Sequence, residues 1–189
     1  MSDSYLSFVN SAWGRRLAQA IGLPQPLALQ RHRSGQQGLA NPVIIAGAGR
    51  LADEVRRLFK AIDTVPAQAA TLKAPSTVKV QGAVFDASAV VDLKQLDELY
   101  EFFHANARRL GPHARVVVLG TAPEHCQVLP QAIAQRALEG LVRSLAKELR
   151  RAITVQLIYV APGAEQALDS SLRFFLSRRS AYVSGQVVR

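Results

Sequence analysis

The sequence predicts an α/β fold, a three-layer doubly wound parallel sheet, and three observations carry that prediction. From Gln131 to Gly163 a long helix runs through a short corner into the buried β-branched run ITVQLIYV, stopped by Pro162-Gly163. Two more apolar runs, VQGAVFDAS and RVVVLG, are separated by a helical pattern, and a fourth, VIIA, leads into a glycine-rich turn and an amphipathic helix. Strands that read as continuous apolar runs and alternate with helices belong to a parallel sheet covered on both faces.

The bulk properties suit one such domain. The chain has 189 residues, 49% of them apolar and 20% charged, enough for one well-buried core but short for two. No apolar run approaches the roughly 20 residues needed to span a bilayer. The opening MSDSYLSFVNSAWGRRL places its basic pair after its apolar residues, the reverse of a signal peptide. The single cysteine, Cys126, excludes an internal disulfide, and a cytoplasmic location is expected. The net charge of +9 would suit an acidic partner, but the basic residues are scattered with no interleaved aromatics, so nucleic-acid binding is not expected.

Residues 1–41 read as an N-terminal helix and extended arm outside the sheet. Leu6, Phe8, Val9, Trp13 and Leu17 would line one side of a short helix, with Gly14 an imperfection and Gly22 near its end. The proline-, glycine- and amide-rich stretch that follows reads as a solvated connector. Either the arm packs loosely on the domain, or Phe8 and Trp13 dock on another domain or subunit, because a lone helix does not bury its own aromatics.

Residues 42–189 carry the α/β pattern. VIIA after Pro42 is the first strand, and Leu51, Val55, Leu58, Phe59 and Ile62 form one face of the helix after GAGR. Such a turn can hold a pyrophosphate on backbone N–H groups. After Gly47 and Gly49, however, the positions that should be small hold Leu51 and Asp53, and Asp53 puts a negative charge in the first turn, so a turn that merely closes strand onto helix is expected. AQAATL would be a short edge strand without the terminal acid that grips a ribose. A strand is predicted over Val78 to Phe85. A helix follows from Asp92, its N-cap, to about Leu110, with Leu93, Leu96, Leu99, Phe102, Phe103 and Ala107 inward and Gly111-Pro112 as the stop. RVVVLG ends at Gly120-Thr121. The long helix faces inward with Ile133, Ala137, Leu138, Leu141, Val142, Leu145 and Leu149. A last helix from about Glu165 to Ser177 buries Ala167, Leu168, Leu172 and Phe175, and AYVSGQVVR is a final strand.

Four of these segments resemble the short-chain dehydrogenase/reductase family. VIIAGAGRLADEV stands where that family has strand, TGxxxGxG turn and helix; VQGAVFDAS where it has the strand ending in Asn-Asn-Ala-Gly; RVVVLGT where a strand ends at the catalytic serine. LVRSLAKELRRAITVQLIYVAPG and FFLSRRSAYVSGQVVR resemble its last helices and strands, SLAKEL and SAYVSGQV most specifically. The resemblance implies a Rossmann-like sheet. One βα unit is missing between the first helix and VFDAS, which shortens strand order 3-2-1-4-5-6 toward the flavodoxin-like 2-1-3-4-5, with the last strand added at the edge.

The family's reaction needs a tyrosine acid–base, a lysine one turn later and a serine. By resemblance the Tyr-x-x-x-Lys pair falls on Gln131 and Gln135 and the serine on Thr121, while the Asn-Asn-Ala-Gly segment has become Phe85-Asp86-Ala87-Ser88. Of the turn glycines Gly47 remains in register and Gly49 is a substitute. These positions are vestigial: no catalytic residue, cofactor ligand or metal ligand is expected. The arm SFVNSAWGRRLAQAIGLPQPLALQR and the degenerate site together resemble the N-terminal domain of high-molecular-weight 3-oxoacyl-[acyl-carrier-protein] reductases. That resemblance implies a downstream reductase domain using NADH or NADPH, a homodimer, and an acyl carrier protein as a further partner. Arg136, Arg143 and Arg150 repeat every seventh residue and could meet an acidic carrier, or simply pair with Glu139 and Glu148. Two alternatives are a free-standing oxidoreductase using Thr121 with His125 or Cys126, and a flavodoxin-like nucleotide-binding module using GAGR and GTAPE.

Overall fold

The structure is a computed structural model that describes residues 4–23, 27–35, 38–40, 42–61, 66–67 and 79–189. Six strands, β1 (Val43–Gly47), β2 (Pro66–Ala67), β3 (Val80–Asp86), β4 (Leu110–Gly120), β5 (Thr154–Tyr159) and β6 (Gln186–Val188), pair in the order β2-β1-β3-β4-β5-β6. Every pairing is parallel. This is the shortened order expected from the sequence. Of the predicted edge strand AQAATL only Ala67 falls within the described residues, and Ile62 and Val78 lie outside them.

Helices cover both faces. The side chains of alternate strand positions divide the core accordingly, since successive residues of a strand point to opposite sides. Val116, Val118, Val155 and Leu157 pack under α4 (Leu96–Asn106) and α5 (Leu129–Glu148), with Phe102, Leu138 and Val142. Val84, Val117, Leu119 and Ile158 pack under α3 (Ala52–Ala61) and α6 (Leu168–Leu176), with Val55, Phe59 and Leu172. Each such large side chain contributes about 1.5–3 kcal/mol by leaving water. The predicted inward positions of α3 that are described, Leu51, Val55, Leu58 and Phe59, are all buried.

Several local expectations are corrected. The N-terminal segment is two helices, α1 (Ser4–Asn10) and α2 (Ala12–Ala20), broken at Ser11, whose hydroxyl accepts from the Gly14 N–H at 3.0 Å. The buried face is Val9, Gly14 and Ala18, while Phe8, Trp13 and Leu17 are exposed. Gly14 is no imperfection: a Cβ there would collide with the Phe8 carbonyl, so the corner requires its absence. Gly111-Pro112 does not stop a helix but opens β4, because α4 already ends at Asn106. Asp92 caps the turn ahead of α4, accepting from the Gln95 N–H at 3.0 Å, and Leu93 is exposed. Ile133 is also exposed, since the inward face of α5 centres on Ala134, Gln135, Leu138 and Val142. Ala167 belongs to a short 3-10 turn, Glu165–Ala167, and faces solvent.

No helix among the described residues is long and apolar enough to cross a membrane.

Candidate functional site

In a doubly wound sheet, ligands bind beyond the carboxyl ends of the strands, where the strand order reverses. Here that place lies beyond Gly47, Asp86, Gly120 and Tyr159, the last residues of β1, β3, β4 and β5.

The turn after β1 is built for close approach. Gly47 has φ +84, and a Cβ on it would strike the Asp86 backbone of the neighbouring strand. A Cβ on Gly49 would strike the Ser88 hydroxyl and come within 2.6 Å of the Asp86 carboxylate. Gly49 is thus small in order to admit Asp86. That carboxylate is 3% exposed; Oδ2 accepts from the Leu51 N–H at 2.9 Å and Oδ1 from the Ser88 N–H at 2.9 Å. Leu51 directly precedes α3, so its N–H belongs to the set that a bound phosphate would use. The carboxylate takes that role from within the fold. A pyrophosphate placed here would compete with that buried anion for the Leu51 N–H. Asp53, which seemed the obstacle in the sequence, sits outward and pairs with Arg56 at 2.8 Å.

Arg50 crosses the same crevice. Its guanidinium donates to the Val160 carbonyl and to the Glu165 carboxylate, and its Nη1 lies 3.4 Å from the Ala161 carbonyl. The β1 turn is thereby tied to the segment after β5. Backbone N–H groups, chiefly its own, and the Gly163 N–H and Arg50 beside it hold the Glu165 carboxyl below the usual carboxylate range.

The third element is Gln135, at the lysine position of the resemblance. It is fully buried, and its amide is saturated by the ends of two strands. Oε1 accepts from the Thr121 N–H at 2.9 Å; Nε2 donates to the carbonyls of Ala87 at 2.8 Å and Val90 at 2.9 Å. Gly120 makes room, since a Cβ there would lie 2.8 Å from Oε1. Gln135 and Thr121 therefore meet, but through the Thr121 backbone, and Thr121 itself is buried. Gln131 does not join them. Its Oε1 accepts from the Gln127 N–H at 3.2 Å, closing the loop that enters α5, where Pro130 sits in the first turn.

Sequence reasoning missed Tyr159, Arg50 and the acceptor role of Asp86. Tyr159 Oη donates to the Gln135 backbone carbonyl at 2.6 Å. Burial, reinforced by Glu139, pushes its pKa up, opposite to what a catalytic phenol needs. Cys126 and His125 lie on the turn after Thr121; the Cys126 thiol contacts the Ala122 carbonyl at 3.6 Å, and burial followed by Glu124 raises its pKa, away from a reactive thiolate. The one buried polar side-chain atom left without a partner here, among the described residues, is Ser88 Oγ.

On the outer face of α5, Glu139 takes Arg136 at 2.7 Å, Arg143 at 3.6 Å and Arg189 at 3.6 Å. The Arg136 and Arg143 pairs are the helix-surface pairs anticipated for Glu139, each worth only a few tenths of a kcal/mol (about 0.3–0.5), whereas Arg189 reaches Glu139 from beyond β6.

Solved structures similar to this chain include a short-chain dehydrogenase/reductase and an enoyl-[acyl-carrier-protein] reductase. A Serratia marcescens short-chain dehydrogenase/reductase variant superposes with TM-score 0.60 at 14% identity, covering 77% of this chain and 94% of that one. The NADH-dependent enoyl-[acyl-carrier-protein] reductase of Aquifex aeolicus superposes with TM-score 0.55 at 14% identity, covering 78% and 82%. Against the Plasmodium berghei enoyl-acyl-carrier-protein reductase the TM-score is 0.47 at 20% identity, and the match spans 59% of this chain and just over half, 56%, of that one. No family model matches the chain, and no curated protein is similar to it in sequence. At these identities the likeness establishes the fold alone, a Rossmann-like parallel sheet, and the site must be judged on its own residues.

Proposed function

We propose that this chain is a non-catalytic Rossmann-like domain, an N-terminal arm (1–41) followed by a degenerate reductase domain (42–189), belonging to a cytoplasmic 3-oxoacyl-[acyl-carrier-protein] reductase. In that protein it stabilises or dimerises a downstream domain that reduces a 3-oxoacyl thioester with NADH or NADPH. The observation that carries the reading is the internal saturation of the crevice. Asp86 takes the N–H that precedes α3, Gln135 spends its whole amide on the ends of β3 and β4, and Arg50 bridges to Glu165. A site that catalyses keeps its polar groups available to the reacting atoms, whereas these are spent on the fold.

Titrating the 189-residue chain with NADH and with NADPH, followed by nucleotide fluorescence, tests this. No saturable binding is expected up to millimolar nucleotide; tight saturable binding overturns the reading. Docking of an acyl carrier protein by the basic flank of α5 is the subordinate part. Charge reversal of Arg143 and Arg150 should weaken carrier affinity at low salt, and an unchanged affinity removes docking while leaving the scaffold role standing.

A further inference from the structure

At the opposite edge of the sheet, where the strands begin, lies a cavity of about 430 Å³. Its wall includes Gln81 at the start of β3, His113 and Arg115 at the start of β4, and Leu176, Ser177 and Arg178 at the end of α6. The polar character of this wall is unexpected. Arg115 lies on the same side of β4 as Val117 and Leu119, a face that is otherwise apolar core.

Arg115 is 3% exposed and has no carboxylate partner among the described residues. Nε donates to the Ser177 carbonyl at 3.2 Å and Nη1 to the Thr154 hydroxyl at 3.2 Å, which leaves Nη2 without a protein acceptor among those residues. A guanidinium stays charged in a protein, and a buried charge is ordinarily paired. Among the described residues its charged neighbours are of like sign: burial, then the Arg178 guanidinium, lower the Arg115 pKa. His113 feels burial first, then Arg115 and Arg178, and its pKa is lowered too.

The backbone gives a second and independent sign. His113 has φ 62, and its N–H donates at 2.9 Å to the carbonyl of Arg151, itself at φ 64 and followed by Ala152 at φ 56. His113 in the cavity wall, and Arg151 and Ala152 in the turn bonded to it, each hold a left-handed conformation costing of order 1–3 kcal/mol, a cost that folds concentrate at ligand sites.

We infer that this cavity binds the phosphate group of a small phosphorylated molecule, with Arg115 as the buried anchor and Arg178 and His113 beside it. Two guanidiniums and an imidazole match a doubly charged oxyanion better than a single carboxylate, and a guanidinium fork suits phosphate geometry. The volume lies in the range of small-molecule sites and exceeds what a bare ion fills.

The test uses the full 189-residue chain and assigned imidazole resonances of its four histidines, with inorganic phosphate, glycerol phosphate and acetate as probes at matched ionic strength. Phosphate should saturate and raise the His113 pKa, leaving His104 and His125, remote from the cavity, unmoved. Glycerol phosphate should bind at least as tightly as phosphate. R178Q should weaken phosphate about tenfold, as loss of one charge-assisted contact does. R115M should abolish it; should that variant not fold, the wild-type His113 response and R178Q decide alone. Equal shifts at every histidine, an acetate response as large as that of phosphate, or an R178Q affinity equal to wild type would each overturn the inference.

Discussion

The two edges of the sheet dispose of their polar groups in opposite ways. Where the strands end, Asp86, Gln135 and Arg50 are buried or half-buried and hydrogen-bonded to backbone groups of neighbouring elements. Where the strands begin, Arg115 is buried with like charges around it, beside an open cavity and a left-handed turn. Polar groups satisfied by one another make a rigid seam, whereas a buried charge lacking a counter-ion is stable only at a cost recovered elsewhere. At the end where proteins of this fold bind ligands the polar groups are bonded to the fold, and at the other end Arg115 has no carboxylate partner among the described residues.

The largest expected effect falls on the satisfied edge. Replacing Gln135 by alanine orphans the Thr121 N–H and the Ala87 and Val90 carbonyls, and should cost about 3–5 kcal/mol, read as a fall in the urea midpoint. A loss below about 1 kcal/mol would mean that water or a ligand already serves those groups, and the contrast between the edges would collapse. Gly47→Ala comes next, at about 2–4 kcal/mol by the same measurement, from the left-handed backbone and the collision with β3. Asp86→Asn keeps the shape but loses the charge-assisted pair of bonds, for about 1–2 kcal/mol, and should not create affinity for NADH. If D86N bound NADH saturably, the carboxylate alone would have been what excluded the nucleotide.

Smaller effects sharpen the other edge. Because burial lowers the His113 pKa below its unfolded value near 6.5, the unfolded chain binds more protons just below that value. Stability should therefore decline as pH falls through about 6.5 and level off below the folded pKa. Phosphate should flatten that decline, which equilibrium unfolding at pH 5 to 7.5 would show. Smallest is Arg151→Gly, which removes a side chain from a φ of 64 and should stabilise by at most about 1 kcal/mol in the same assay.

Much of the fold was legible because its signals are local. The apolar run TVQLIY, the α3 face from Leu51 to Phe59 and the Pro162-Gly163 stop specify elements through periodicity and turn chemistry alone. The strand order followed from the family resemblance, by taking one βα unit from the sheet it implies. Boundaries failed where a tertiary contact overrode a local signal. Gly111-Pro112 reads as a helix stop but continues a strand whose first partner is Val80, and the inward face of α5 is rotated toward a polar residue, Gln135, that no hydrophobic pattern selects. In the candidate site, the glycines of the turn, Gly47 and Gly49, could be read directly, and the glutamines at 131 and 135 stand where the resemblance implies tyrosine and lysine. What those glutamines bond to could not be read, although Gly120 before Thr121 is a signal that something approaches closely there.

The sequence by itself determined the α/β class and the parallel sheet, since each depends on residue types and spacings within one or two elements. Only the tertiary structure decided that Asp86, Gln135 and Arg50 bond to neighbouring elements where the strands end, and that Arg115 is buried at the opposite end with no carboxylate partner among the described residues. Gln135 meets Ala87 across 48 positions of chain, Asp86 meets Leu51 across 35, and Arg115 meets Ser177 across 62. Contacts between residues so far apart leave no periodicity in the chain and exist only once the layers have packed.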